Sequence, residues 1–128
     1  MHEESYNICI EQNVLVTQQD IDDIMATALE GGITYWCFKA EVIGAYLGEC
    51  ASDVISRGGT LKLYGIESGE KYWLDKEKLL NGIKKAIADD IYPDYEWRNN
   101  GRLDCSQIDA DVADAIVQLA LFEDIIYG

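Results

Sequence analysis

The chain has 128 residues, of which 48% are hydrophobic and 27% charged, and these values predict one globular domain over residues 1–128. Its 24 acidic and 10 basic residues give a formal net charge of −14. A field of this sign repels duplex nucleic acid and anionic membranes, so we expect no general binding to either.

The cysteines and the first residues bear on the cellular compartment. No CxxC pair occurs, the N-terminus lacks the basic and apolar regions of a signal peptide, and no apolar run approaches the roughly 20 residues needed to cross a bilayer. We therefore expect reduced thiols in a cytoplasmic protein. The thiols belong to Cys9, Cys37, Cys50 and Cys105.

The N-terminal part of the chain predicts an extended segment followed by a helix. Residues 5–16 contain β-forming side chains in partial alternation, which indicates a strand or an extended arm. Thr17 and Asp20 have the spacing of a capping box, and the apolar residues behind them recur at helical spacing. The helix is expected to end at Gly31–Gly32, because glycine accepts the left-handed conformation there.

A sheet is predicted for the middle of the chain. Residues 33–38 are β-branched and aromatic, and they indicate a buried strand that continues to residue 43. Residues 44–56 fit either a strand with a bulge or a short helix near residues 52–56. Residues 61–66 and 71–74 flank a four-residue turn and predict a β-hairpin.

Two further helices follow. Asp75 is placed to cap a helix that continues to about Ala88, in which Gly82 suggests close packing. A third helical pattern starts near Asp109, and residues 122–128 read as a short terminal strand. The predicted fold class is α+β, a mainly antiparallel sheet with about three helices packed on one face.

The turn Arg57-Gly58-Gly59-Thr60 directly precedes a predicted strand. Glycine backbone amides beside an arginine can form an anion-binding nest. The full P-loop pattern is absent, so hydrolysis of a triphosphate is not implied. The alternative is an ordinary glycine turn with an exposed arginine.

A second cluster of ligand-binding residue types lies between residues 91 and 104. Aromatic rings can stack on a base, arginines can pair with phosphate, and amides can bind polar edges. The alternative is a surface loop whose aromatic residues fold back onto the core. The candidates are Tyr92, Trp97, Arg98, Asn99, Asn100 and Arg102, with Trp36 as a further aromatic that is otherwise a core residue.

Several catalytic chemistries lack their residues. The only histidine is His2, which removes the usual base of a serine or cysteine nucleophile and makes a zinc site unexpected. No GxGxxG follows a strand, and the carboxylates fall mostly at helix starts, where capping accounts for them. These features favour a binding protein without a cofactor over an enzyme.

Three segments resemble a known family. They are residues 28–37 (ALEGGITYWC), residues 51–60 (ASDVISRGGT) and residues 109–122 (DADVADAIVQLALF). They are similar to the first type of Thoeris anti-defence protein, a family of small proteins from gut Firmicutes and their phages. The resemblance covers about residues 17–126, and LEGG…YW is its most specific part.

The resemblance implies a non-enzymatic phage protein that acts in the cytosol of the bacterial host. Such proteins sequester glycocyclic ADP-ribose, the immune signal made by TIR-domain proteins. They form homo-oligomers up to hexamers, bind the signal at subunit interfaces, and in some cases hold cyclic oligonucleotides at separate sites. The residues here that suit this role are Arg57 to Thr60 and Arg98, Asn99, Asn100 and Arg102, with Tyr92, Trp97 or Trp36 stacking on adenine.

Two other functions fit parts of the sequence. An acidic decoy that mimics nucleic acid would block a defence protein through tight, salt-sensitive association with a basic partner. A metal-dependent hydrolase of the same nucleotides would use the abundant carboxylates. The sequence favours the sponge, then the decoy, then the hydrolase.

Overall fold

The computed structural model describes residues 4–6, 13–67, 69–89, 101–103 and 105–128. Within these ranges the helices are α1 (Gln18–Thr27), α2 (Lys76–Ala88) and α3 (Ala110–Phe122). The strands β1 (Cys37–Ile43), β2 (Thr60–Gly65) and β3 (Lys71–Leu74) form one antiparallel sheet in that order. The predicted α+β class is confirmed.

Helix α1 begins with the predicted capping box. Thr17 Oγ1 accepts a hydrogen bond from the Asp20 amide at 3.1 Å, and the Asp20 carboxylate accepts one from the Thr17 amide at 2.9 Å. The last turn widens into a π-helix over Ala28–Gly32, so the helix ends where predicted, but neither Gly31 nor Gly32 adopts the left-handed conformation that was expected there. Gly32 is required there, because a Cβ atom would lie 2.8 Å from the Ala110 carbonyl oxygen.

Two of the predicted strands are corrected. The strand predicted from residue 33 begins only at Cys37, because the Trp36 and Cys37 amides both donate to the Ile33 carbonyl in a turn. The strand predicted for residues 122–128 is absent from those residues, all of which the structure describes. Phe122 instead ends α3, and Glu123 caps the helix in the left-handed conformation (φ 59°).

Residues 44–56 follow the short-helix alternative. Their regular part is a single 3-10 turn over Ala51–Asp53, which starts one residue before the predicted position. The Asp53 carboxylate accepts hydrogen bonds from the amides of Glu49 and Cys50 at 3.2 and 3.1 Å. This segment leads into the turn that carries Arg57.

The two faces of the sheet differ in character. In β2, Leu61 and Leu63 are fully buried, whereas Lys62 and Tyr64 alternate with them on the other face. Opposite β2, the register of β1 shifts between Cys37 and Lys39, as at a β-bulge. The buried face packs into the core, and the other face carries polar and aromatic side chains.

The core is one hydrophobic cluster in which α2 and α3 approach closely. A Cβ atom on Gly82 would lie 2.4 Å from the Ile116 carbonyl oxygen and 2.9 Å from Ala120 Cβ, which confirms the close packing predicted at this glycine. Asp75 and Asp109 accept hydrogen bonds from the third residue beyond each of them, as caps of α2 and α3. Fully buried members of the cluster include Ile24, Met25, Val54, Leu74, Leu79 and Val117.

The N-terminal segment touches the chain near Arg102. Leu15 forms an isolated parallel bridge with Arg102, and the Leu15 amide donates to the Gly101 carbonyl at 2.6 Å. Of the cysteines the structure describes, Cys37 and Cys50 have free thiols. In the described part of the chain, every helix is too short or too polar to cross a membrane.

Candidate anion-binding site at Arg57

The turn between the 3-10 helix and β2 has a backbone that demands its two glycines. Gly58 has a φ of +88°, which favours glycine. Gly59 packs so tightly that a Cβ atom would lie 2.4 Å from Val54 Cγ1. The glycines are therefore explained by the local fold, with no ligand required.

The same turn uses the amides that the sequence analysis assigned to an anion. The Gly58 amide donates to the Ile55 carbonyl at 3.1 Å, and the Gly59 amide donates to the Val54 carbonyl at 2.9 Å. The predicted nest is wrong for these two amides, because a donor that already closes a turn is not free to bind an anion. The charged donor at this turn is therefore the Arg57 side chain, not these two amides.

The Arg57 guanidinium is held from one side. Its Nη1 donates to the Asp53 carbonyl at 3.0 Å and lies 3.6 Å from an Asp22 carboxylate oxygen. Ser56 joins the cluster, since its hydroxyl donates to Asp22 at 2.5 Å and lies 3.4 Å from Nη1. The Arg57 side chain is 38% exposed and that of Asp22 is 14% exposed. The ion pair therefore lies at the protein surface.

The remaining nitrogens of Arg57 form the candidate binding edge. Every hydrogen bond and ion pair found for this guanidinium among residues 13–67, 69–89 and 101–128 (apart from 104) uses Nη1. A guanidinium carries five N–H donors in one plane, and the Nε and Nη2 pair matches the two oxygens of a phosphate or carboxylate. Arg57 is thus oriented by the chain with one bidentate edge left for an oxyanion.

The other predicted site residues are placed as follows. Thr60 is the first residue of β2 and pairs with Ile43, so it adjoins the Arg57 turn. Arg102 is exposed and lies beside Leu15. Five candidates lie outside the described residues: Tyr92, Trp97, Arg98, Asn99 and Asn100.

Trp36 belongs to the aromatic core and not to an open stacking site. It is 2% exposed, and one ring face stacks on Tyr127 with centroids 4.9 Å apart and planes 4° apart. Its indole nitrogen donates to the Asp114 carboxylate at 2.8 Å. A base would have to displace Tyr127 to stack on this ring, so the assignment of Trp36 to ligand stacking is corrected.

A cluster that the sequence analysis missed lies on the solvent-facing side of the sheet. Lys39 and Lys62 each place an ammonium 5.2 Å from the centre of the Tyr64 ring, and Lys71 places one at 6.0 Å. Lys62 also lies 5.4 Å from the centre of the Trp73 ring. The signal was present in β2 and β3, where lysines and aromatic residues alternate with buried ones, but only the strand register brings the three lysines together.

Polar side chains near the C-terminal residues serve the fold. Gln118 is fully buried, and its Oε1 accepts from the amides of Ile126 and Tyr127 at 2.8 Å each. Tyr35 donates to Asp114 at 2.6 Å, and partial burial followed by this hydrogen bond raises the pKa of Tyr35 to about 12. The hydrogen bonds from Gln118 thereby hold the residues that follow α3 against this helix.

An apolar groove of about 540 Å³ lies between residues 13–16 and α2, and it includes none of the predicted site residues. No three His, Cys, Asp or Glu side chains in the described ranges are grouped to hold a metal ion. The groove is lined by Asn13, Val14, Leu15, Val16, Leu80, Ile83, Lys84 and Ile87.

Comparison of the chain with models of protein families, with curated proteins and with solved structures gives no match. The resemblance to the Thoeris anti-defence family therefore stays a prediction from the quoted segments.

Proposed function

We propose that the protein is a non-catalytic sponge that binds and sequesters a cyclic ADP-ribose signal, with Arg57 as a phosphate ligand. The observation that supports this most directly is the orientation of the Arg57 guanidinium, which is fixed through Nη1 and whose Nε and Nη2 edge has no hydrogen bond or ion pair with the described residues. A diphosphate supplies paired oxygens of the matching geometry. Pre-orientation also reduces the side-chain entropy lost when the ligand binds.

The chemistry around Arg57 favours binding over turnover. Ser56 donates its hydroxyl hydrogen to Asp22, and Asp22 also pairs with Arg57. Among the described residues, the hydrogen bonds of the Ser56 hydroxyl go to Asp22, Asp53 and Arg57, and none goes to the histidine or lysine that usually activates a serine. Ser56 and Asp22 therefore position Arg57 and do not form an activated nucleophile.

An open surface arginine forms only part of a sponge site. Tight sequestration requires a desolvated pocket, in which a phosphate pair is stronger than at an exposed surface. We propose that a second subunit completes the site, in a homo-oligomer of two to six chains as the resemblance implies. Its setting would be the cytosol of a bacterial host, where removal of the signal suppresses anti-phage immunity.

The structure weakens the decoy alternative. Asp20, Asp75 and Asp109 each accept a hydrogen bond from a backbone amide at the start of a helix, so these acids serve the fold. Three of the 24 acidic residues are thus explained by helix capping, which favours a structural role for them over the continuous stripe of a nucleic-acid mimic. Tight, salt-sensitive binding to a basic partner, with no effect of a small nucleotide, would restore the decoy.

The test is a depletion assay with glycocyclic ADP-ribose. Purified protein is mixed with the ligand, the free ligand is measured, and the protein is then denatured by heat. We expect the ligand to disappear and to return intact. Ligand that returns cleaved would show an enzyme, and ligand that never leaves solution would refute the proposal.

Variants of Arg57 locate the site. Arg57→Gln should weaken binding by about 30- to 4,000-fold, which corresponds to the roughly 2–5 kcal/mol lost when one partner of a buried charge pair is removed. Arg57→Lys keeps the charge but loses the bidentate edge, so its affinity should lie between that of the wild type and that of Arg57→Gln. Lys84→Gln removes one positive charge from α2 and serves as the control. Equal affinity of all four proteins would place the site elsewhere, and thermal unfolding would check that each variant folds.

A further inference from the structure

We propose that the solvent-facing side of the sheet is a second ligand-binding surface, which takes a short, linear, single-stranded oligonucleotide. We call it the lysine–aromatic face and define it by Lys39, Lys62, Tyr64, Lys71 and Trp73. Bases would stack on the aromatic rings, and the backbone phosphates would lie against the lysines. This surface is distinct from the Arg57 site and does not depend on the proposed sponge function.

The strand register builds this face in two adjacent rows. In one row Tyr64 of β2 lies between Lys39 of β1 and Lys71 of β3. In the other row Lys62 lies between Glu41 of β1 and Trp73 of β3. Because neighbouring strands are about 4.8 Å apart, each row is about 10 Å wide. At a spacing of about 3.4 Å per nucleotide along one stacked strand, a row takes about three nucleotides.

The charge of the face is opposite to that of the protein. Three of the 10 basic residues in the chain place ammonium groups within 6.0 Å of one tyrosine ring. Within the described ranges, the carboxylate that contacts this group is that of Glu41, which lies 3.4 Å from Lys39 Nζ and accepts a hydrogen bond from Tyr64 at 3.1 Å. The face therefore keeps an excess of positive charge. The pKa of Glu41 is lowered, first by the Tyr64 hydrogen bond and then by Lys39.

Two aromatic residues on this side have large exposed surfaces, beside the half-buried Tyr64. Trp73 is 47% exposed, and Phe38, which follows Cys37 at the bulge and lies 5.9 Å from Tyr64, is 62% exposed. Large apolar rings gathered at one surface mark interaction sites more often than rings scattered singly. A face that combines exposed rings with lysines offers both parts of a nucleotide contact.

The lysines that lie over the rings do not prevent stacking. A cation–π contact at an exposed site is equivalent to about a 2- to 5-fold change in an equilibrium constant. Stacking of one base on an aromatic side chain is equivalent to about a 5- to 150-fold change in an equilibrium constant. A base can therefore displace the Lys62 ammonium from the Trp73 ring, and the released ammonium becomes available to the adjacent phosphate.

A protein partner fits this face less well than an oligonucleotide. Lysine is depleted in the centres of protein–protein interfaces, whereas here Lys62 lies at the centre of the sheet between the two rings. A long nucleic acid fits poorly as well, because the net charge of −14 repels phosphates that extend beyond the face. A short single strand brings phosphates to the central lysine and does not extend beyond the positively charged face.

Fluorescence anisotropy with labelled linear hexaadenylate tests the proposal. We expect hexaadenylate to bind. A plot of the logarithm of the association constant against the logarithm of the salt concentration should have a slope of about −2, as for three phosphate contacts on a single strand. Trp73→Ala should weaken binding at least about 5-fold, and Trp73→Phe, which keeps a ring, should recover most of it. Lys62→Gln should weaken binding and reduce the salt slope. Absence of hexaadenylate binding would overturn the proposal.

Matched controls separate a built surface from general charge. Lys84→Gln makes the same charge change on α2 and should bind hexaadenylate like the wild type; a loss equal to that of Lys62→Gln would overturn the proposal. Unlabelled tripolyphosphate, which has no base, should compete weakly, and strong competition would also overturn it. Arg57→Gln should retain hexaadenylate binding, whereas Trp73→Ala should retain glycocyclic ADP-ribose binding. Failure of one site can thus be told apart from failure of the other.

Discussion

Gly82→Ala is the clearest test of how α2 packs on α3. An added Cβ would lie 2.4 Å from the Ile116 carbonyl oxygen and 2.9 Å from the Ala120 amide nitrogen. Both are backbone atoms of α3 and cannot rotate away as a side chain could. Restoring ordinary contact distances requires the helices to separate by about 1 Å, which forfeits about a quarter to a half of the dispersion attraction of each contact affected.

The expected net effect is a loss of stability. Overpacking costs about 1–3 kcal/mol, and the severity of this contact places it near the upper end. Alanine returns about 1 kcal/mol relative to glycine through helix propensity. We therefore expect a net destabilisation of about 2 kcal/mol, or a fall in Tm of about 8 °C for a chain of this size.

Gly31→Ala is the matched control for this substitution. Gly31 lies at the end of the first helix, and an added Cβ would meet no heavy atom within 4 Å. Its variant should be as stable as the wild type or more stable by up to about 1 kcal/mol. Thermal unfolding of both variants checks the comparison. A Gly82→Ala protein at least as stable as the wild type would refute the close approach of α2 and α3.

Two further predictions concern the residues that follow α3. Gln118→Leu removes the acceptor of the Ile126 and Tyr127 amides and should destabilise the protein by about 3 kcal/mol, with faster hydrogen exchange at both amides; unchanged exchange would contradict it. Because the pKa of Tyr35 is raised to about 12, the folded state keeps this proton when the unfolded state loses it. Its stabilising contribution should be complete below pH 10 and be lost as the pH rises from about 10 to about 12. Tyr35→Phe should flatten this part of the stability curve, and urea unfolding across that range would show it.

The helices were predictable because their signals are local. Thr17 with Asp20, and the single caps Asp75 and Asp109, act on amides within three residues, so the sequence carries the complete interaction. The apolar spacing behind each cap then determines which face is buried.

The errors arose where distant contacts decide the backbone. Residues 33–36 have strand-forming side chains, yet they form a turn in which Trp36 reaches Asp114 and stacks on Tyr127. Residues 122–128 also have strand-forming composition, but the amides of Ile126 and Tyr127 bond to Gln118 instead of to another strand. Neither partner is identifiable from spacing along the chain, because tertiary contacts override β-propensity.

At the candidate site, too, the local features were predictable from the sequence and the features that depend on distant contacts were not. Arg57 was recognised from its own turn, but the use of the neighbouring glycine amides within that turn depends on carbonyls whose positions the sequence does not display. The lysine–aromatic face was missed altogether, because Lys39, Lys62 and Lys71 belong to three strands that meet only through their register.

Arg57 and Lys62 are close in sequence, but they contact different layers of the molecule. Arg57 pairs with Asp22 of α1, which belongs to the helical layer, whereas Lys62 lies over the rings on the opposite face of the sheet. Sites that share no partner are expected to respond independently to substitution. The double variant Arg57→Gln/Lys62→Gln should thus bind glycocyclic ADP-ribose like Arg57→Gln and hexaadenylate like Lys62→Gln. A larger loss for either ligand than in the matching single variant would mean that one ligand reaches both layers, and the two surfaces would then have to be treated as one site.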